Sequence, residues 1–138
     1  MTVAAAKKTL SRAFAELDQA DGDLEVIRQV AEKGWRAARE AVYAVMACKG
    51  ERPSKGTITV GEVAKFEATA LGRPRGRSPG QPLADGYARA MDLHGDCFYE
   101  GKCESKSDLH GELERVHVLI EQAEADATAC RPTTRQRR

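Results

Sequence analysis

The chain has 138 residues and a nearly balanced charge, with 22 Lys and Arg against 21 Asp and Glu. Its length fits one domain with its own core, and its 5% aromatic content makes that core mostly aliphatic. A charge so close to zero argues neither for nor against a nucleic-acid partner. The sequence has no membrane-length apolar run, and lysines interrupt the apolar residues of its first segment. We therefore expect a cytoplasmic protein with no membrane partner.

Two amphipathic helices are predicted first, over residues 2–19 and 23–48. Asp18 to Asp23 interrupts the pattern, with Gly22 as a stop and Asp21 or Asp23 as the next N-cap. The second helix has an inner face of mainly small residues that begins at Leu24, and its single Trp35 is expected in the core. Its outer face carries charged residues at steps of four: Arg28, Glu32, Arg36 and Glu40.

A loop and a shorter helix follow. Gly50 ends the second helix, and Pro53 cannot continue it. Thr59 and Glu62 form a capping box, which predicts a helix from Val60 to about Leu71.

The next loop, residues 72–80, is rich in Gly, Pro and Arg and is predicted to lack regular structure. It carries Arg73, Arg75 and Arg77, which could bind phosphates through salt-dependent contacts or could simply be solvated.

A long helix is predicted from Leu83 to Gly101. One stripe along it contains Leu83, Tyr87, Met91, His94 and Phe98. A histidine in such a stripe is either a core residue whose hydrogen bonds are satisfied or a functional acid–base group.

The last predicted helix is capped by Ser105 or Ser107 and ends near Ala127. Together the elements predict an all-α, up-and-down bundle of about five helices in one domain, residues 1–128. Residues 129–138 are a basic tail predicted to be disordered.

The four cysteines are too sparse for a disulfide scaffold, which agrees with a reduced cytoplasmic setting. His94, Cys97, Cys103 and His110 are ligand types that zinc accepts, but their spacing matches no common zinc module. We therefore predict no metal site and no cofactor.

The spacing of Arg89 and His94, R-x-x-x-x-H, and the ending FYEG at 98–101 resemble HEPN-type helical domains, specifically PaREP-like archaeal and bacterial proteins. The similarity lies mainly in residues 35–53 and 83–120. It implies an RNA-binding protein or a metal-independent ribonuclease, often of a defence or toxin–antitoxin system. It also implies a homodimer joined through the faces that carry the motif, and a possible nucleotidyltransferase-like partner protein.

The resemblance assigns phosphate stabilisation to Arg89 and acid–base work to His94, with Tyr99 in the same motif. RNA cleavage needs a group that moves the 2′-OH proton and a cation for the charge that develops on phosphorus. Histidine and arginine suit these two roles.

A structural interpretation stays open beside the catalytic one. In a continuous α-helix, Arg89 and His94 point about 140° apart. Arg89 could then pair with Asp85 and Asp92, while His94 serves the core. This alternative predicts a non-catalytic helical dimer or protein-interaction module.

Overall fold

The computed structural model describes residues 2–53, 56–77, 80–103 and 105–130. These residues form α1 (Val3–Asp18), α2 (Leu24–Cys48), α3 (Val60–Ala70), α4 (Pro82–Asp92), a π-helix (Leu93–Tyr99) and α5 (Lys106–Cys130). The predicted all-α bundle is confirmed, and none of the described residues forms a strand. No helix in these ranges is long and apolar enough to cross a membrane.

Side-chain caps fix the starts of α2, α3 and α5 where the sequence predicted them. The Asp23 carboxylate accepts the backbone N–H of Glu25 at 2.9 Å, and Thr59 Oγ1 accepts that of Glu62 at 3.1 Å. Ser105, rather than Ser107, caps α5, because its Oγ accepts a backbone N–H at 3.1 Å. Each cap satisfies an N–H group that has no partner inside its helix.

Helix α2 is the centre of the bundle and contacts α1, α4, the π-helix and α5. Trp35 is 1% exposed, which confirms it as a core residue. Gly34 lies directly under Leu113 of α5, so the two helices approach closely. The prediction for Leu24 was wrong: it is 52% exposed, because the first residue of α2 lies at the end of the helix.

A buried carboxylate joins α3 to α4 and α5. Glu67 is fully buried, and its oxygens accept the N–H groups of Leu83 and Ala84 at 2.9 and 2.8 Å. It also accepts a hydrogen bond from Arg73, whose guanidinium binds Asp126 of α5 through two further bonds. The hydrogen bond to Asp126 is the main cause of a raised pKa of Arg73. Glu67 and Arg73 together thus connect three helices.

The four cysteines form two disulfides, although their sparse spacing predicted no disulfide scaffold. Cys48–Cys130 joins the last residues of α2 and α5, and Cys97–Cys103 joins the π-helix to the segment before α5. Cys97 and Cys103 do not supply thiolates for a zinc ion, since they are bonded to each other. Helix α5 also extends to Cys130, beyond the predicted end near Ala127, and residues 131–138 of the predicted tail lie outside the described residues.

The segment 83–101 is not one regular α-helix. It is α-helical to Asp92 and then π-helical from Leu93 to Tyr99. The wider turn changes the buried stripe: Leu93 and Cys97 enter the core, whereas His94 stays partly exposed. A π-helical turn inside a helix is frequent at functional sites, so His94 is a candidate functional residue.

Candidate functional site

His94 lies on the side of the π-helix that faces α2, where it meets Glu32. Its Nδ1 is 2.9 and 3.2 Å from the two carboxylate oxygens of Glu32. An ionised carboxylate only accepts hydrogen bonds, so in the neutral imidazole Nδ1 carries the proton and donates it. Nε2 then holds the free lone pair, and it has no hydrogen-bond partner in the part of the chain that the structure describes.

Aromatic rings fix the position of the imidazole. The Trp35 ring centroid is 5.7 Å from that of His94 and lies beneath it in the core. Tyr99 packs edge-on at 4.7 Å, and the Phe98 ring is nearly parallel at 6.1 Å. Tyr99 is 65% exposed, so the pair of His94 and Tyr99 reaches the surface.

Arg28 lies one turn before Glu32 on α2 and holds the end of the π-helix. Its Nε and Nη2 donate to the Phe98 carbonyl oxygen at 2.7 and 2.5 Å. Its guanidinium carbon lies 6.0 Å from the centre of the Phe98 ring. Arg28 is therefore an arginine on the same side of the π-helix as His94.

Arg89 faces α5, on the side of the segment opposite α2. Its Nε and Nη2 each bind an oxygen of Glu112, at 2.9 and 2.8 Å. The sequence predicts Asp85 and Asp92 as partners of Arg89, and it does not predict Glu112. Within one chain the structure therefore places Arg89 against α5 and His94 against α2, on different sides of the same helical segment.

A pocket of about 230 Å³ lies on the Arg89 side, between the α4–π-helix segment and α5. Three carboxylates (Asp92, Asp96 and Glu112) and two cations (Arg89 and Lys102) line it. The excess of negative charge disfavours a phosphate there.

The three loop arginines separate into two groups. Arg73 is engaged in the buried network with Glu67 and Asp126. Arg75 and Arg77 are exposed on the loop between α3 and α4. Residues 78 and 79 of that loop, like the arginines of the tail, lie outside the described residues.

Glu32 and Arg28 are the site residues that sequence reasoning missed. Both stand on the charged outer face of α2, whose charged residues at steps of four predicted support for the helix rather than a site. The available signal was a carboxylate and an arginine one turn apart on the helix that also carries Trp35. Nothing in that pattern identified His94 as their neighbour, because Glu32 and His94 are 62 residues apart.

The arrangement can transfer a proton at one atom, Nε2 of His94. A carboxylate on Nδ1 selects the tautomer, orients the ring and stabilises the imidazolium that forms when Nε2 takes a proton. Among the described residues, no group of three or more His, Cys, Asp or Glu could hold a metal ion. Comparison with models of protein families, with curated proteins and with solved structures finds no match.

Proposed function

We propose that this chain is a HEPN-like, RNA-directed helical protein that cleaves RNA without a metal ion. His94 is the proton-transfer group, and Glu32 is the residue that positions it. The observation that supports this proposal is the bond between Glu32 and His94 Nδ1, which leaves Nε2 as a base in a partly exposed position. The proposed setting is the cytoplasm, in a defence or toxin–antitoxin system.

The proposed reaction is a transesterification. His94 Nε2 takes the proton of a ribose 2′-OH, and the 2′-oxygen attacks the adjacent phosphorus. The bond from phosphorus to the 5′-oxygen breaks, and that oxygen takes a proton, which gives a cyclic 2′,3′-phosphate and a free 5′-OH. Tyr99 beside His94 carries an O–H for this second proton, and Arg28 offers positive charge for the phosphorane.

In this proposal, Arg89 acts on the phosphate from a second copy of the chain. In the proposed homodimer, the faces with the motif meet, and Arg89 of the partner subunit lies beside His94. In this proposal the phosphate replaces Glu112 as the partner of that arginine, which the single chain directs toward α5.

The test is RNA cleavage by the purified chain in the presence of a metal chelator. We expect the wild type to release cyclic-phosphate ends and His94→Ala to be inactive. Glu32→Gln should lower the rate about 10²-fold or more, because the imidazole loses the carboxylate that selects its tautomer and stabilises the imidazolium. His117→Ala is the matched control, since His117 pairs with Glu121 on the exposed face of α5.

Thermal unfolding of each variant separates a chemical effect from a loss of structure. A wild type that leaves RNA intact contradicts the ribonuclease proposal. So does a His94→Ala variant that cleaves as fast as the wild type.

A second candidate is a non-catalytic helical module that binds a protein, such as a nucleotidyltransferase-like partner. The observation that favours it is the two-bond pair of Arg89 with Glu112 beside an acidic pocket, which occupies the arginine and disfavours RNA. This candidate predicts no RNA cleavage and a large loss of stability in His94→Ala.

A further inference from the structure

The disulfide Cys97–Cys103 has one of its cysteines, Cys97, in the π-helix that carries His94. Cys97 is three residues after His94, is 4% exposed and packs beside Ile27 of α2. Cys103 is partly exposed and belongs to the short segment between the π-helix and α5. One sulfur is therefore in the core beside the candidate site, and the other is the more accessible of the two.

The disulfide and Arg28 hold the same short stretch of chain. Arg28 binds the Phe98 carbonyl oxygen, one residue after Cys97. The backbone N–H groups of Gly101 and Lys102 bind the carbonyl oxygens of Cys97 and Asp96 at 3.0 and 2.8 Å. These bonds connect Cys97 to the segment that carries Phe98, Tyr99 and the imidazole.

The second disulfide provides an internal comparison. Cys48–Cys130 joins the last residues of α2 and α5, and its two cysteines are 82 residues apart in sequence. Cys48 lies more than three helical turns beyond Trp35, the α2 residue that packs against His94. Cys97 and Cys103 are only six residues apart in sequence, and both are close to His94 in the chain. Of the two disulfides, only Cys97–Cys103 has a cysteine in the π-helix that carries His94.

We propose that Cys97–Cys103 is a thiol–disulfide exchange site whose redox state sets the position of His94 against Glu32. The co-substrate is a dithiol. Disulfides in the cytosol are usually transient and catalytic or redox-sensing, so in the proposed cytoplasmic setting we expect this disulfide to exchange with thiols. The inference does not depend on RNA cleavage, since it concerns the position of the imidazole.

The exchange proceeds in two steps. A thiolate of the dithiol attacks the more exposed Cys103 sulfur, a mixed disulfide forms, and Cys97 leaves as a thiolate that takes a proton. The second thiol of the reductant loses its proton and attacks the reductant's sulfur in the mixed disulfide. This step releases Cys103 as a thiolate, which takes a proton. The protein disulfide gains two electrons and two protons, and the dithiol becomes a cyclic disulfide.

The test uses the full chain in mixtures of reduced and oxidised dithiothreitol. Alkylation followed by peptide mass analysis reports each cysteine, circular dichroism reports helix content, and the side-chain ¹⁵N NMR signals of His94 report its position. In the wild type we expect the His94 signals to change in step with reduction of Cys97 and Cys103 while helix content is retained.

Two double variants complete the test. The variant with Cys97→Ser and Cys103→Ser should show the same His94 signals under all conditions. The variant with Cys48→Ser and Cys130→Ser should keep the response of the wild type. Three results overturn the inference: Cys97 and Cys103 stay unpaired in oxidised dithiothreitol, His94 does not respond, or the response survives in the first variant.

Discussion

Among single residues, Tyr87 shows most clearly how burial changes a side chain's chemistry. Its ring is fully buried against Trp35, and its O–H donates to the Ile58 carbonyl oxygen at 2.8 Å. Burial, with a contribution from Tyr43, raises the pKa of Tyr87 well above its usual range. The folded protein therefore keeps this proton at a pH where the unfolded chain has lost it.

This difference predicts a loss of stability in alkali. Below about pH 10, folded and unfolded chains both hold the Tyr87 proton, and its titration does not affect stability. Above that pH only the folded chain holds it, so the free energy of unfolding falls by up to about 1.4 kcal/mol per pH unit. The fall continues until the pH passes the raised pKa of the folded state.

Tyr87→Phe should remove this part of the alkaline slope in urea unfolding between about pH 8 and pH 11. It should also cost about 1 kcal/mol at neutral pH, because the Ile58 carbonyl loses its hydrogen bond. Tyr99→Phe, at a position that is 65% exposed, is the control and should keep the slope. An unchanged slope in Tyr87→Phe would refute the argument.

Among the helices, the contact of α2 with α5 depends on the absence of a side chain at Gly34. A Cβ atom there would lie 2.8 Å from Leu113 Cδ2 and 3.3 Å from Leu93 Cδ1. Leu113 is fully buried, so it has little room to move.

Gly34→Ala should therefore lower the free energy of unfolding by about 1–3 kcal/mol, despite the better helix propensity of Ala. Gly111→Ala is the matched control, because a Cβ at Gly111 of α5 meets no atom within 4 Å. The control should gain up to about 1 kcal/mol. Denaturant unfolding measures both; a Gly34→Ala variant as stable as Gly111→Ala would contradict the close approach of the helices.

The sequence predicted the elements well where local chemistry decides them. The caps at Asp23 and Thr59 and the apolar spacing of α1 and α2 are local signals, and the structure confirms them. The π-helix at Leu93–Tyr99 was not predicted, because periodicity assumes a regular turn. Packing of Leu93 and Cys97 against α2 decides that region, and this information is not local.

For the whole molecule, the two disulfides should contribute unequally to stability. Cys48–Cys130 closes a separation of 82 residues, and Cys97–Cys103 one of six. On loop-closure entropy alone, the long loop gives about 4.5 kcal/mol and the short one about 2 kcal/mol.

Serine replacement of each pair, under oxidising conditions, should show this order in the free energy of unfolding. The variant without Cys48–Cys130 should lose about twice as much as the variant without Cys97–Cys103. In a reducing buffer both variants should approach the wild type. An equal loss in the two variants would mean that local contacts, rather than loop closure, determine the effect.

In the candidate site, the sequence predicted one residue but not the residues that contact it. His94 was visible as a titratable group in an apolar stripe. Its partner Glu32 lies 62 residues away, and Arg28 lies 70 residues from the carbonyl that it binds. Such pairings follow from the packing of α2 on the π-helix, which periodicity does not specify.

The most direct test of the proposed site is the protonation of the His94 ring, measured by long-range ¹H–¹⁵N NMR at a pH where His94 is neutral. We expect the proton on Nδ1, an unprotonated Nε2, and loss of this preference in Glu32→Gln. His110 and His117, which face Glu114 and Glu121, serve as references in the same spectra. A neutral His94 with its proton on Nε2 would contradict the proposal, because the atom assigned to take the 2′-OH proton would already hold one.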